Sequence, residues 1–178
     1  MNKIFKYLLL GVMAVCFTAP VAAKVEAAKI AVVPLIVNVK DDGGMNAILY
    51  TDACTKLFKY PDFDFVDTDL VKKAAAAQTD VFSKAGMQAI MDASGADIVV
   101  AMSVDKFDWK EDRMRQAPMT ILDFRGKFAT LNRLTGKYQH ENWVNDTQLE
   151  SEAISPRNDF PHQEFSRSVR LEIKKAAK

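Results

Sequence analysis

The spacing of apolar and polar positions changes period several times along this chain, and each change predicts an element. Residues 29–37 (KIAVVPLIV) form a short apolar run rich in β-branched side chains, the pattern of a buried strand, with Pro34 marking its end or an irregularity. The polar turn NVKDDGGMN follows, carrying Gly43 and Gly44. From Asn46 the period becomes helical: Leu49, Tyr50, Ala53, Cys54, Leu57 and Phe58 share one broad apolar face, and Tyr60 with Pro61 ends the helix.

The acidic stretch YPDFDFVDTDLVKK reads as architecture. Phe63 and Phe65 alternate with Asp62 and Asp64, as in a short strand with one buried face. Asp67 or Thr68 then stands where a helix N-cap belongs, and Asp69 falls in the first turn, where its charge favours the helix dipole. A calcium loop beginning at Asp62 would need glycine at its sixth position and glutamate at its twelfth, but Asp67 and Lys73 occupy them. The helix runs on through Ala74–Ala77. A further helix is predicted with a cap at Asp80 or Ser83, an apolar stripe of Ala85, Ala89, Ile90 and Ala93, and Gly95 as its stop.

Ile98–Met102 is apolar without alternation, which predicts a central strand covered on both faces. A charged connection, DWKEDRMRQAP, comes next; Lys110, Arg113 and Arg115 are interspersed there with Glu111 and Asp112, as in a solvated loop. MTILDFRGKFATL then alternates, with Leu122, Phe124 and Phe128 on one side and Asp123, Arg125 and Lys127 on the other. Thr135 and Gly136 reverse the chain into KYQHENWVNDTQLE, a polar strand suited to an edge. The last segment predicts a helix capped near Asn158 or Asp159, with Phe165, Val169, Ile173 and Ala176 facing inward. These elements describe a single α/β domain over residues 24–178. Its architecture is three-layer-like, with a mixed sheet of about five strands in the order β-α-β-α-α-β-β-β-α.

Composition adds an address. Residues 1–23 (MNKIFKYLLLGVMAVCFTAPVAA) have a basic start, an apolar run too short to span a membrane and a small-residue close, the three parts of a secretory signal peptide. Val15 before Cys16 does not fit a lipoprotein signal. Cleavage removes Lys3 and Lys6 and turns the formal charge of +1 into −1, so no nucleic-acid partner is expected. Cys54 is then the only thiol of residues 24–178, and its helical position predicts a buried small hydrophobe.

No catalytic residue, metal site or cofactor is predicted. GxSxG, HExxH and paired cysteines are all missing, and His140 and His162 read as solvated polar residues. Two places remain as candidate binding residues. Gly43 and Gly44 before a helix start could let backbone N–H groups surround an anion, although Asp41 and Asp42 oppose a phosphate there and no nucleotide-loop motif accompanies them. Trp109 in the charged connection and Trp143 on the polar strand are of the type enriched at binding surfaces.

Taken in order, KIAVVPL, FDFVDTDLVKKAAAAQ, ASGADIVVAMSVDKF and LNRLTGKY resemble the exported α/β domain of the curli secretion component (CsgG) family. That domain is similar to those of the penicillin-binding-protein activator lipoproteins and the amino-terminal domain of TolB. The resemblance covers residues 29–177 and implies a non-enzymatic envelope module that works through protein contacts, in some cases as a ring-like homo-oligomer. It implies no catalytic residues, and the chain departs from the curli channel pattern in having no room for long lipid-facing hairpins beyond the domain's own strands, so no pore is expected. The expectation is therefore a periplasmic or extracellular accessory protein that binds an envelope partner, without a membrane span. The alternative is a small-ligand or anion-binding protein or enzyme using the Gly43–Gly44 loop.

Overall fold

A computed structural model of the chain describes residues 26–39, 44–112, 119–150, 166–167 and 169–174. The expected signal peptide, the connection around Arg113 and Arg115, His162, and the predicted start of the last helix lie outside the described residues.

The apolar run at the start becomes two strands, β1 (Ala28–Val32) and β2 (Ile36–Val37), separated at Pro34 and both parallel to β4 (Ile98–Val104). Proline lacks a ladder N–H, so the break falls where the sequence placed it. On the other side of β1 lies β3 (Phe63–Phe65), also parallel. Three antiparallel pairings follow: β4 with β6 (Met119–Asn132), β6 with β5 (Lys106–Asp112), and β6 with β7 (Lys137–Glu150). The result is one mixed seven-stranded sheet, ordered β3-β1-β4-β6-β5, with β2 beside β4 and β7 beside β6.

Helices cover both faces, giving the three layers expected. On the front, α1 (Met45–Leu57) lays Tyr50, Ala53 and Cys54 against Ile30, Val100 and Met102, joined by Phe58 just past its end. The helical residues 169–174 add Val169 and Ile173 to the same core. On the back, α2 (Thr68–Ala76) and α3 (Lys84–Ser94) pack Val71, Met87, Ile90 and Met91 over Ala31, Val99 and Ala101. Every residue of β4 is buried, as its unbroken apolar run required.

The acidic residues do what helix chemistry predicts. Asp67 Oδ1 accepts from Asp69 N–H at 2.9 Å and Leu70 N–H at 3.1 Å, which makes it the N-cap of α2. Asp64 accepts from the Phe65 N–H at 2.9 Å. Ser83 caps α3 by accepting from Gly86 N–H at 3.0 Å, and Gly95 closes it at φ 67°.

Four expectations need correction. The sheet has seven strands, not about five. Part of the charged connection is strand β5, because residues 106–110 (KFDWK) alternate and find a partner in β6. The buried stripe of α3 is Met87, Ile90, Met91 and Ser94, with Ala85 and Ala93 exposed. The longer methionines reach the sheet where alanines would bury little area. Lastly, Phe65 is 39% exposed because β3 is an edge strand, while Phe63 packs edge-on against Phe58 at 5.2 Å.

Candidate functional site

β6 and β7 are each fourteen residues long, roughly 45 Å of extended chain. Only the half of β6 nearer its C-terminal end borders β4; the other half borders β5, so β5, β6 and β7 form a three-stranded arm that continues the central sheet. At the join, Met102 pairs with Phe128 and Lys106 with Arg125, leaving Ser103, Val104 and Asp105 opposite Gly126 and Lys127. This is a β-bulge. The Asp105 N–H donates to the Arg125 carbonyl at 2.7 Å, and the Lys127 N–H donates to Ser103 Oγ at 3.0 Å. Gly126 is required here, since a Cβ would lie 2.9 Å from the Ser103 carbonyl carbon and closer still to its oxygen.

The extra residue shifts the alternation by one. Val104 and Phe107 both join the front core, three positions apart, so the odd-numbered residues of β5 continue the front face. Trp109 therefore occupies a front-face register position, opposite Leu122. Trp143, opposite Gly126, occupies another. Trp109, expected in a charged connection, thus lies on a strand, and Trp143 lies on the strand expected for it. Their register positions flank β6 on opposite sides, four residues apart along it; on the same face the Phe107 and Phe124 ring centroids lie 6.4 Å apart. Sequence reasoning missed this grouping because the charges of β5 masked its period.

The back face of the arm is charged. Lys106 bonds Asp123, and Arg125 Nε reaches the other Asp123 oxygen at 3.2 Å. The Lys106 ammonium, then Arg125, hold the Asp123 carboxyl below its ordinary range, and Asp123 in turn raises Lys106. A second ion pair anchors the opposite end of β4. Asp97 accepts from Arg133 at 2.7 Å and from the Lys29 N–H at 2.9 Å, which together lower its pKa.

Hydrogen-bond direction along β6 decides which groups β7 leaves open. The Arg133 N–H donates to the Asp97 carbonyl at 2.8 Å, and Arg125 accepts from Asp105, so odd-numbered residues of β6 serve β4 and β5. Even-numbered residues serve β7. Because the β6–β7 register is unbroken, the odd residues of β7 return those bonds and its even residues, Tyr138 to Glu150, direct N–H and C=O outward. Among the described strands, β7 has no neighbour on that side.

Sheet edges are ordinarily blunted by shortness, charge, proline or bulges. β3 is short, and β5 carries Lys106, Asp108, Lys110, Glu111 and Asp112 among its seven residues. β7 has no proline, glycine or bulge, and its charges are spread thinly.

The other candidate is less developed. Gly44 caps α1 at φ 78° with no side-chain cap bond, no acidic residue stands in the first turn, and Gly43 lies outside the described residues. Cys54 is 1% exposed, its thiol pushed up to about 12 by burial, against the opposing effect of a Tyr50 hydrogen bond. Tyr50 also donates to the Val100 carbonyl at 3.4 Å. His140 is exposed. Among the described residues no group of His, Cys, Asp and Glu could hold a metal ion, and no helix is long and apolar enough to cross a membrane.

No family model matches the chain, and no curated protein matches it. Several solved structures are similar to the chain. The hypothetical protein CT253 from Chlamydia trachomatis is 13% identical, with 83% of this chain and 95% of that one covered at a TM-score of 0.50. Lipoprotein GNA1162 from Neisseria meningitidis is 14% identical, with 83% and 99% covered at 0.43. The C-terminal domain of LpoB from Salmonella enterica is 16% identical, with 72% and 87% covered at 0.35. At 13% identity the likeness to CT253 is one of fold.

Proposed function

We propose that this chain is a non-enzymatic, exported envelope accessory protein that binds a protein partner by strand addition along the outer edge of β7. The observation that carries this reading is the fourteen-residue edge itself, with even-numbered main-chain groups turned outward, no proline, glycine or bulge, and no neighbouring strand among the described residues. Strand addition draws its affinity from main-chain hydrogen bonds and its selectivity from alternate side chains, so it needs no conspicuous motif. The signal-like residues 1–23 supply the envelope address.

Asn142 gives a clean test. Its N–H faces outward, so Asn142→Pro removes an edge donor without breaking the β6 ladder. Site-specific photo-crosslinking from position 140 in intact cells should trap a protein partner, and Asn142→Pro should abolish the adduct while leaving the melting temperature within a few degrees. An adduct that survives the proline, or none in the parent chain, would refute strand addition.

A further inference from the structure

We infer that the strand added to β7 is β7 of a second copy of this chain, in antiparallel register centred on Trp143; this rests on the edge reading above. For two copies to form one continuous sheet, residues of equal parity must stand opposite one another, so the register can shift only in steps of two.

Within that series, residue identities select one alignment. Centring on Trp143 sets Trp143 against its own copy, His140 against Asp146, Gln139 against Thr147 and Glu141 against Asn145. No like charges meet. Sliding one way brings Glu141 opposite Glu141, and sliding the other way brings Asp146 opposite Asp146, so like-charge contact closes the window on both sides. Inside it, the Trp143 pair is the aromatic match, and aromatic cross-strand pairs are among the most favourable.

Main-chain geometry agrees. Trp143 is odd-numbered and directs its own groups to β6, so the central pair is a non-hydrogen-bonded one, with Cα atoms about 4.5 Å apart. The even residues on either side, Asn142 opposite Val144, His140 opposite Asp146 and Tyr138 opposite Gln148, form the hydrogen-bonded pairs, about twelve bonds across the two-fold axis. The arrangement is isologous and closes on itself, so it yields a dimer rather than a fibre.

Cysteine pairing tests both partner and register. In the full chain carrying Cys16→Ser, with Cys54 buried out of reach, Glu141→Cys and Asn145→Cys are made separately. Mixed under mild oxidation, the two should give a heterodimeric disulfide, while neither forms a homodimer efficiently. Sedimentation should show a concentration-dependent dimer, weakened at least about tenfold by Asn142→Pro. A chain that stays monomeric at its highest soluble concentration, or disulfides that form equally at every position, would overturn the inference. If the chain is monomeric yet position 140 traps a different protein in a proline-sensitive way, self-pairing is wrong and edge binding stands. Absence of both adduct and dimer removes the two together.

Discussion

Replacing Gly126 by alanine tests whether the bulge positions the arm. The added Cβ would sit 2.9 Å from the Ser103 carbonyl carbon and 3.4 Å from Val104 Cα, and still nearer the Ser103 oxygen. These are backbone atoms and cannot swing aside as a side chain could. In a close-packed interior the Ser103 carbonyl would have to retreat by about 1.5 Å. That displacement strains two bonds spanning the bulge, Asp105 N–H to Arg125 and Lys127 N–H to Ser103 Oγ. At about 1 kcal/mol for each of the two hydrogen bonds and 1–3 kcal/mol for overpacking, the expected loss is about 3–5 kcal/mol. Urea unfolding, read as a shift in midpoint at constant slope, measures it. Gly44→Ala is the control: nothing lies within 4 Å of its Cβ, and only the left-handed φ of 78° is strained, which costs about 1 kcal/mol. A Gly126→Ala midpoint indistinguishable from the parent would refute the close approach and, with it, the parity assigned to Trp109.

Three further outcomes follow from the same contacts. The folded pKa of Asp97 is depressed, so its contribution to stability is present above the ordinary aspartate value of 3.8 and is lost as pH falls through the lower folded value. Asp97→Asn should therefore cost about 1 kcal/mol at neutral pH and flatten the acid limb of the melting profile. Cys54 should resist alkylation in the native protein at pH 8 and react fully in denaturant, since burial pushes its thiol up to about 12. Ile90→Ala should cost about 2–5 kcal/mol by chemical denaturation, whereas Ala93→Ser on the exposed side of α3 should stay within about 0.5 kcal/mol.

Much of the fold was legible from local pattern. The Asp67 cap, the Gly95 stop, the fully buried β4 and the two-sided alternation of β6 depend on interactions within a few residues, and spacing alone exposes those. Cys54 was placed in the core by helical period and is found there. Gly126 carried no such signal. Its need for a missing Cβ arises from Ser103, more than twenty residues away.

The amino-acid order by itself determined most of the elements, their relative order and the α/β class, because steric preference and amphipathic period act over short stretches. Tertiary structure alone decided that a charged segment becomes β5, that a bulge turns Phe107 to the front, and which residues of β7 face outward. Those outcomes are set by pairing between distant strands. A shift of one residue reverses every face and every donor beyond it, so the candidate edge exists only once the sheet has closed around β6.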